Sequence, residues 1–180
     1  KSFDEDVIWE RRHILDLDDF TTDEIDTVLN TTKAMKEVLG RDVMKVPILR
    51  GKTVLNMFYE PSTRTRVSFE IAGKILSADV VSVSSGSSSS VKGESLIDTG
   101  LTLRAASADV IVLRHPQAGS PYLLARHLSN VSIINAGDGC HAHPTQGLLD
   151  LYTILSNVGR ISGIKVAIIG DVAHSRVARS

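Results

Sequence analysis

A short apolar run, Val54-Leu55-Asn56-Met57-Phe58-Tyr59, stops at Glu60-Pro61 and passes straight into Ser62-Thr63-Arg64-Thr65-Arg66. The run has the length and composition of a buried strand. Proline ends the ladder because it has no N–H to donate. The Ser/Thr cluster behind it reads as the opening of a helix. A strand turning directly into a helix is the repeating unit of a sheet flanked by helices. The turn also carries chemistry. A helix start offers unpaired backbone N–H groups and the positive end of the helix dipole. Ser62, Thr63, Thr65 and the Arg64 guanidinium add donors there, a set suited to a phosphate-like anion. Taken alone, the segment also reads as a capped helix with a solvated basic turn.

The same alternation runs along the chain. Thr21 and Glu24 sit at capping-box spacing, and Ile25, Val28, Leu29, Thr32, Met35 and Val38 recur at helical period up to Gly40. This predicts a helix over Thr21–Leu39. Strands are expected at 52–59, 80–83, 109–113, 131–135 and 164–170, and helices at 65–77, 94–106, 122–128 and 144–155. The fold class is therefore α/β, with a parallel sheet flanked by helices. The stretch 84–90 is serine apart from Gly86 and reads as an exposed loop. The polar stretch 156–163 is the candidate domain boundary. It gives a first domain over residues 1–155, and a linker with the first strand and loop of a second α/β domain over 156–180.

A net charge of −1 gives no general pull toward nucleic acid or an anionic membrane, so any basic function must be local. The single cysteine, Cys140, excludes an internal disulfide and fits a reducing compartment. The acidic, polar start is unlike a signal peptide, and no apolar run approaches the ~20 residues that span a bilayer. The chain is expected to be cytoplasmic.

In open parallel sheets ligands sit outside the carboxyl ends of the strands. Four polar segments follow expected strands: Ser62–Arg66, Arg114-His115-Pro116-Gln117, Gly137-Asp138-Gly139 through His143-Pro144-Thr145-Gln146, and Gly170-Asp171 through Arg176. Topology gathers Arg64, Arg114 and His143 at one edge. Singly, each has a plainer reading: Arg114 a surface arginine, His143 a structured turn residue, Lys92 a solvated loop lysine. Gly170-Asp171 lacks the repeated glycines of a dinucleotide loop. His141 and His143 have no third ligand at metal-site spacing, so no metal is expected.

Together these segments resemble the transcarbamoylases, and among them most closely the aspartate carbamoyltransferase catalytic chains. The resemblance rests on Phe58–Arg66 with Ser68-Phe69-Glu70, Lys92-Gly93-Glu94, Arg114–Gln117, Asn135–Gly139, His143–Gln146 with Leu148–Leu151, and Gly170-Asp171 with His174–Ser180, in family order over nearly the whole chain. Glu60-Pro61 and Thr145 resemble the aspartate branch; the ornithine branch usually carries another residue near the first position and cysteine at the second.

The resemblance implies the carbamoyl phosphate-binding domain of that family, serving pyrimidine synthesis without a cofactor. Ser62, Thr63, Arg64 and Thr65 inherit the carbamoyl phosphate site. Arg114 reaches phosphate and carbonyl, His143 the carbonyl oxygen, and Gln146 the carbamoyl amide. Arg64, Thr65, Arg114 and His143 carry the catalytic roles. Ser88 and Lys92 come from a neighbouring subunit of a homotrimer, and Lys92 and Arg176 meet aspartate. A regulatory chain or a dihydroorotase is a further partner the family admits. The family's catalytic chain has two domains of similar size, and this sequence reaches only the start of the second. Two other readings stay open: a carbamoyl phosphate-binding and trimerisation module without catalysis, and transfer to ornithine or another amine.

Overall fold

The structure, a computed structural model, describes residues 9–84 and 94–180. Four parallel strands form the sheet: β1 (Thr53–Phe58), β2 (Asp79–Ser84), β3 (Val110–His115) and β4 (Ser132–Asp138), in the order β2-β1-β3-β4. The helices are α1 (Thr22–Leu39), α2 (Thr63–Ile75), α3 (Leu96–Ala105), α4 (Ser120–His127), α5 (Pro144–Val158) and the short α6 (Arg176–Arg179). The expected α/β class and parallel sheet are what the chain adopts.

Local chemistry explains the element ends. Thr21 and Glu24 complete a reciprocal capping box at the start of α1. Arg11 donates to both Glu24 carboxylate oxygens and to Asp19, and its hydrogen bond is the main reason Glu24 is held down to about 2. The carboxylate thus closes the helix and anchors the segment before it. Ser95 caps α3 through the Asp98 N–H. Gly159, with φ of 79°, ends α5 in the left-handed conformation glycine tolerates.

The sheet carries a core on each face. Leu55, Met57, Ile111, Leu113 and Ile133 meet Leu124 and Leu128 of the α4 region, with Leu96, Leu101 and Leu103 of α3 behind them. On the opposite face Val54, Phe58, Val112 and Ala136 meet Phe69 of α2. The alternation of inward residues along each strand is the period-two pattern of a pleated sheet covered on both sides.

The strand expected over 164–170 does not form. Val166, Ile168 and Ile169 are 62%, 57% and 95% exposed, and the backbone there joins no ladder. β-branched residues make a strand only beside a partner. The outer edge of β4 carries another segment instead: Ile14 donates to the Ile133 carbonyl at 2.9 Å and accepts from the Asn135 N–H at 2.8 Å. The N-terminal segment is thus a minimal fifth strand, which the sequence reading did not foresee.

Asn56 is the odd residue of the core. It lies on β1 between Ser82 and Val112 in register, fully buried, with neither amide atom hydrogen-bonded among the described residues. An unmet buried polar group costs about 1–3 kcal/mol. Asn56→Val is expected to raise unfolding free energy by about 1–2 kcal/mol in urea denaturation. A lowered midpoint would mean that the amide is engaged.

Candidate active site

The strand order reverses between β1 and β3, because the chain steps from β1 to β2 on one side and returns to β3 on the other. Such a switch point opens a crevice at the carboxyl ends of the strands. Phe58 is in register with Arg114, and the Tyr59 N–H donates to the Arg114 carbonyl at 2.9 Å. The loop into α2 and the end of β3 therefore emerge side by side.

The start of α2 is built differently from those of α1 and α3. Ser62 occupies the cap position, yet its side chain caps nothing; its hydroxyl donates to the Thr65 hydroxyl at 3.0 Å. The first-turn N–H groups are left without the side-chain acceptor that Thr21 and Ser95 supply elsewhere. Thr63 and Arg64 are exposed, and Arg64 takes no acceptor among the described residues.

Beside this turn lies a compact charged cluster. Arg114 donates through Nε to Glu60 Oε2 at 3.1 Å and through a terminal nitrogen to the Ala136 carbonyl at 3.3 Å. Arg176, from α6, donates to the same Glu60 oxygen at 3.0 Å and to the Gly139 carbonyl at 2.9 Å. One carboxylate oxygen thus serves two guanidinium groups. Burial, and then the Arg176 charge, push Arg114 below its ordinary value, while Glu60 opposes them. Gly137 makes room for Arg176: a Cβ there would stand 3.1 Å from the guanidinium carbon, and the φ of 116° also favours glycine.

His143 is 7% exposed at the start of α5. Its backbone N–H donates to the Ser180 hydroxyl at 2.7 Å, and its Nδ1 faces the Thr145 hydroxyl at 3.3 Å. Burial, reinforced by the Arg114 and Arg176 charges, lowers its pKa to about 4. At neutral pH the ring is uncharged and can donate a hydrogen bond without adding positive charge.

Glu60, Arg114, Arg176 and His143 are thereby brought together, with Ser62–Thr65 two residues beyond Glu60. Gln146 instead donates along α5 to Asp150 at 2.9 Å. Ser88 and Lys92 lie outside the described residues. The sequence reading treated Glu60 only as a branch marker. An acid set against two arginine-bearing strand ends was the available signal for its role. It also passed over Ser180, whose hydroxyl accepts from His143 and donates to the Arg176 carbonyl.

Fold and site define an α/β domain with a cluster of arginines and a buried histidine at the edge of its topological switch point. The family model for the aspartate/ornithine carbamoyltransferase carbamoyl-P binding domain matches residues 12–156, and the chain belongs to that family. It is 62% identical over 170 residues to the aspartate carbamoyltransferase catalytic subunit of Roseiflexus castenholzii, covering 94% of this chain and 53% of that protein. The Chloroflexus aurantiacus catalytic subunit is 59% identical over 170 residues, covering 94% and 55%. Among solved structures, the catalytic subunit of M. jannaschii aspartate transcarbamoylase superposes with a TM-score of 0.84 at 47% identity, covering 93% of this chain and 54% of that one. Trypanosoma cruzi aspartate transcarbamoylase in complex with carbamoyl phosphate and aspartate does so at 0.85 and 34% identity, covering 93% and 51%. The chain spans about half the length of these relatives.

The depressed pKa of His143 has a stability signature. The unfolded chain takes up a proton near the ordinary value of 6.5, before the folded chain does near 4. Stability from this residue is full above pH 6.5 and is lost as the pH falls toward 4. In His143→Gln, the difference in unfolding free energy between pH 7 and pH 4.5 is expected to shrink by about 2 kcal/mol. An unchanged pH dependence in urea denaturation would show that the imidazole is solvated.

Proposed function

We propose that this chain is the carbamoyl phosphate half of an aspartate carbamoyltransferase, which moves the carbamoyl group of carbamoyl phosphate to the α-amine of L-aspartate. The observation that carries the reading is the uncapped start of α2 beside Arg114 and His143. Ser62, Thr63 and Arg64, with the free N–H groups of the first turn, hold the phosphate. The carbamoyl carbonyl lies between Thr65, Arg114 and His143, and Gln146 takes the carbamoyl amide. The amine attacks the carbamoyl carbon, and negative charge gathers on its oxygen. Fixed donors at that oxygen lower the barrier, each worth about 100- to 1,000-fold in rate. A neutral His143 fits this role, because it donates without drawing the leaving phosphate toward itself. The carbon–oxygen bond then breaks, the proton lost by the amine passes to the departing phosphate, and inorganic phosphate leaves onto Arg64 and the hydroxyls. Closely held substrates supply much of the remaining acceleration, and no covalent intermediate or cofactor enters.

Residues 1–155 are read as the carbamoyl phosphate domain and 156–180 as the linker and opening segment of an aspartate-binding domain. Within a homotrimer, Ser88 and Lys92 of a neighbouring copy complete the site, and Lys92 and Arg176 meet the aspartate. A second reading is favoured by one observation: Arg176 is already held by Glu60 and the Gly139 carbonyl. The chain as it stands would then bind carbamoyl phosphate and transfer nothing. A turnover assay with aspartate, run in parallel with ornithine, separates the readings.

Calorimetric titration with carbamoyl phosphate tests the site. Arg64→Ala is expected to weaken binding by about 10- to 100-fold, the worth of a charge-assisted phosphate contact. Affinity within a few-fold of the parent would remove Arg64 from the site.

A further inference from the structure

Asp138, the last residue of β4, is fully buried. Its carboxylate accepts from the Gly119 N–H at 2.7 Å, the Ala142 N–H at 3.1 Å and the Asn135 amide at 2.9 Å. Gly119 closes the loop that follows β3, the strand bearing Arg114, and Ala142 immediately precedes His143. One carboxylate therefore ties the loop after the Arg114-bearing strand to the loop before His143.

His141 extends this contact outward. Its Nδ1 lies 3.1 Å from Asp138 Oδ2, and its Nε2 lies 3.5 Å from Asp16 Oδ2. The Nδ1 contact is at hydrogen-bond distance, and the Nε2 contact with Asp16 is a longer electrostatic approach. Asp16 is itself fixed, accepting from the Asp18 N–H at 2.8 Å and the Tyr122 hydroxyl at 3.1 Å. The Tyr122 ring meets His141 edge-on at 6.0 Å between centroids. Burial first, and then the bond to Asp16, push Tyr122 above its ordinary value, so its hydroxyl remains a donor.

We propose that Asp16 and His141 are positioning residues for the carbamoyl phosphate site: His141, held between Asp16 and Asp138, fixes the 139–143 loop and through it the ring of His143. The substrate part of this inference rests on the function proposed above; the positioning part rests on the contacts alone. The bland alternative is that the Asp16–His141 contact merely fastens the N-terminal segment to the sheet. That segment has its own fastenings, however. Ile14 exchanges backbone hydrogen bonds with β4, the Leu15 carbonyl accepts from Asn135, and Arg11 is bound to Glu24 and Asp19. Fastening does not need Asp16, whereas the loop before His143 has no other side-chain tie to the N-terminal segment among the described residues.

The test uses the full 180-residue chain and the variants Asp16→Asn and His141→Ala. Asp16→Asn keeps size and shape, so it preserves the test if His141→Ala unfolds. The first readout is the His143 ring titration by NMR. The charged groups around that ring are Arg114, Arg176, Asp150 and Glu60, and neither variant changes them. In the parent the ring titrates near 4; in the folded variants it is expected to move toward the ordinary 6.5 as the loop loosens and water reaches it. The second readout is calorimetric affinity for carbamoyl phosphate, expected to fall about tenfold for a modest misplacement of a donor. A His143 titration unmoved in a folded variant, with only the melting temperature lowered, overturns the proposal. If the parent itself fails to bind carbamoyl phosphate, the proposed function falls, and the His143 titration alone decides the positioning role.

Discussion

Because β1 lies between β2 and β3, the chain must leave its carboxyl end by α2 on one side and come back to β3 on the other. The parallel pairing of β1 with β3 is the constraint on which everything else depends. Its register sets Phe58 opposite Arg114, which sends the Glu60–Thr65 turn and the end of β3 out of the sheet together. A one-residue slip would exchange the two faces of the strand and turn Arg114 into the core. The core prevents it. Leu55 and Met57 must meet Ile111 and Leu113 on one face, while Val54 and Phe58 meet Val112 on the other. The apolar residues thus fix the register, and the register places the polar ones.

The cluster at that edge concentrates positive charge in a chain whose net charge is −1. Arg114 and Arg176 converge on one Glu60 oxygen, and both depress the neighbouring His143. Two guanidinium groups against one carboxylate leave the edge with unspent attraction for a further anion. The partial burial of both arginines strengthens that attraction, since their charge is less screened by water than on an open surface. The histidine responds by staying neutral. A protonated ring there would add a third positive charge and would have to be desolvated as well, so geometry and electrostatics agree on its state.

What the sequence disclosed and what it withheld divide along physical lines. Local signals read well: the Thr21–Glu24 capping box, the Gly40 stop and the β-branched strand cores depend on neighbours in sequence. The strand ends also pointed to one edge for the candidate residues, because a parallel sheet exports its loops to one edge. The failures depended on distant neighbours. Ile164–Gly170 has the composition of a strand, yet whether it becomes one depends on a partner strand, and none pairs with it among the described residues. Glu60 acts through partners far away in sequence, 116 residues in the case of Arg176, and Asp138 through a loop 19 residues before it as well as its own. Neither role shows in a motif. Each is visible only once the sheet has brought its loops together.

The same distinction explains why the N-terminal segment matters to a site it does not touch. An active-site donor needs more than the right residue type, because a small displacement of a donor reduces its effect steeply. His143 stands at the start of a helix without a side-chain cap, on a short loop entered through two glycines with positive φ, Gly137 at the end of β4 and Gly139 just after it. Such a loop has little stiffness of its own. Its order comes from Asp138 beneath it, from Ser180 behind it, and from the Asp16–His141 contact at its flank. The close approach of Gly139 to the Pro116 carbonyl, 2.8 Å from where a Cβ would stand, ties the same loop to the one after Arg114. Precision at the edge is therefore a property of the contacts around it. It draws together the first strand-like residues of the chain, the middle of the sheet and the last helical turn.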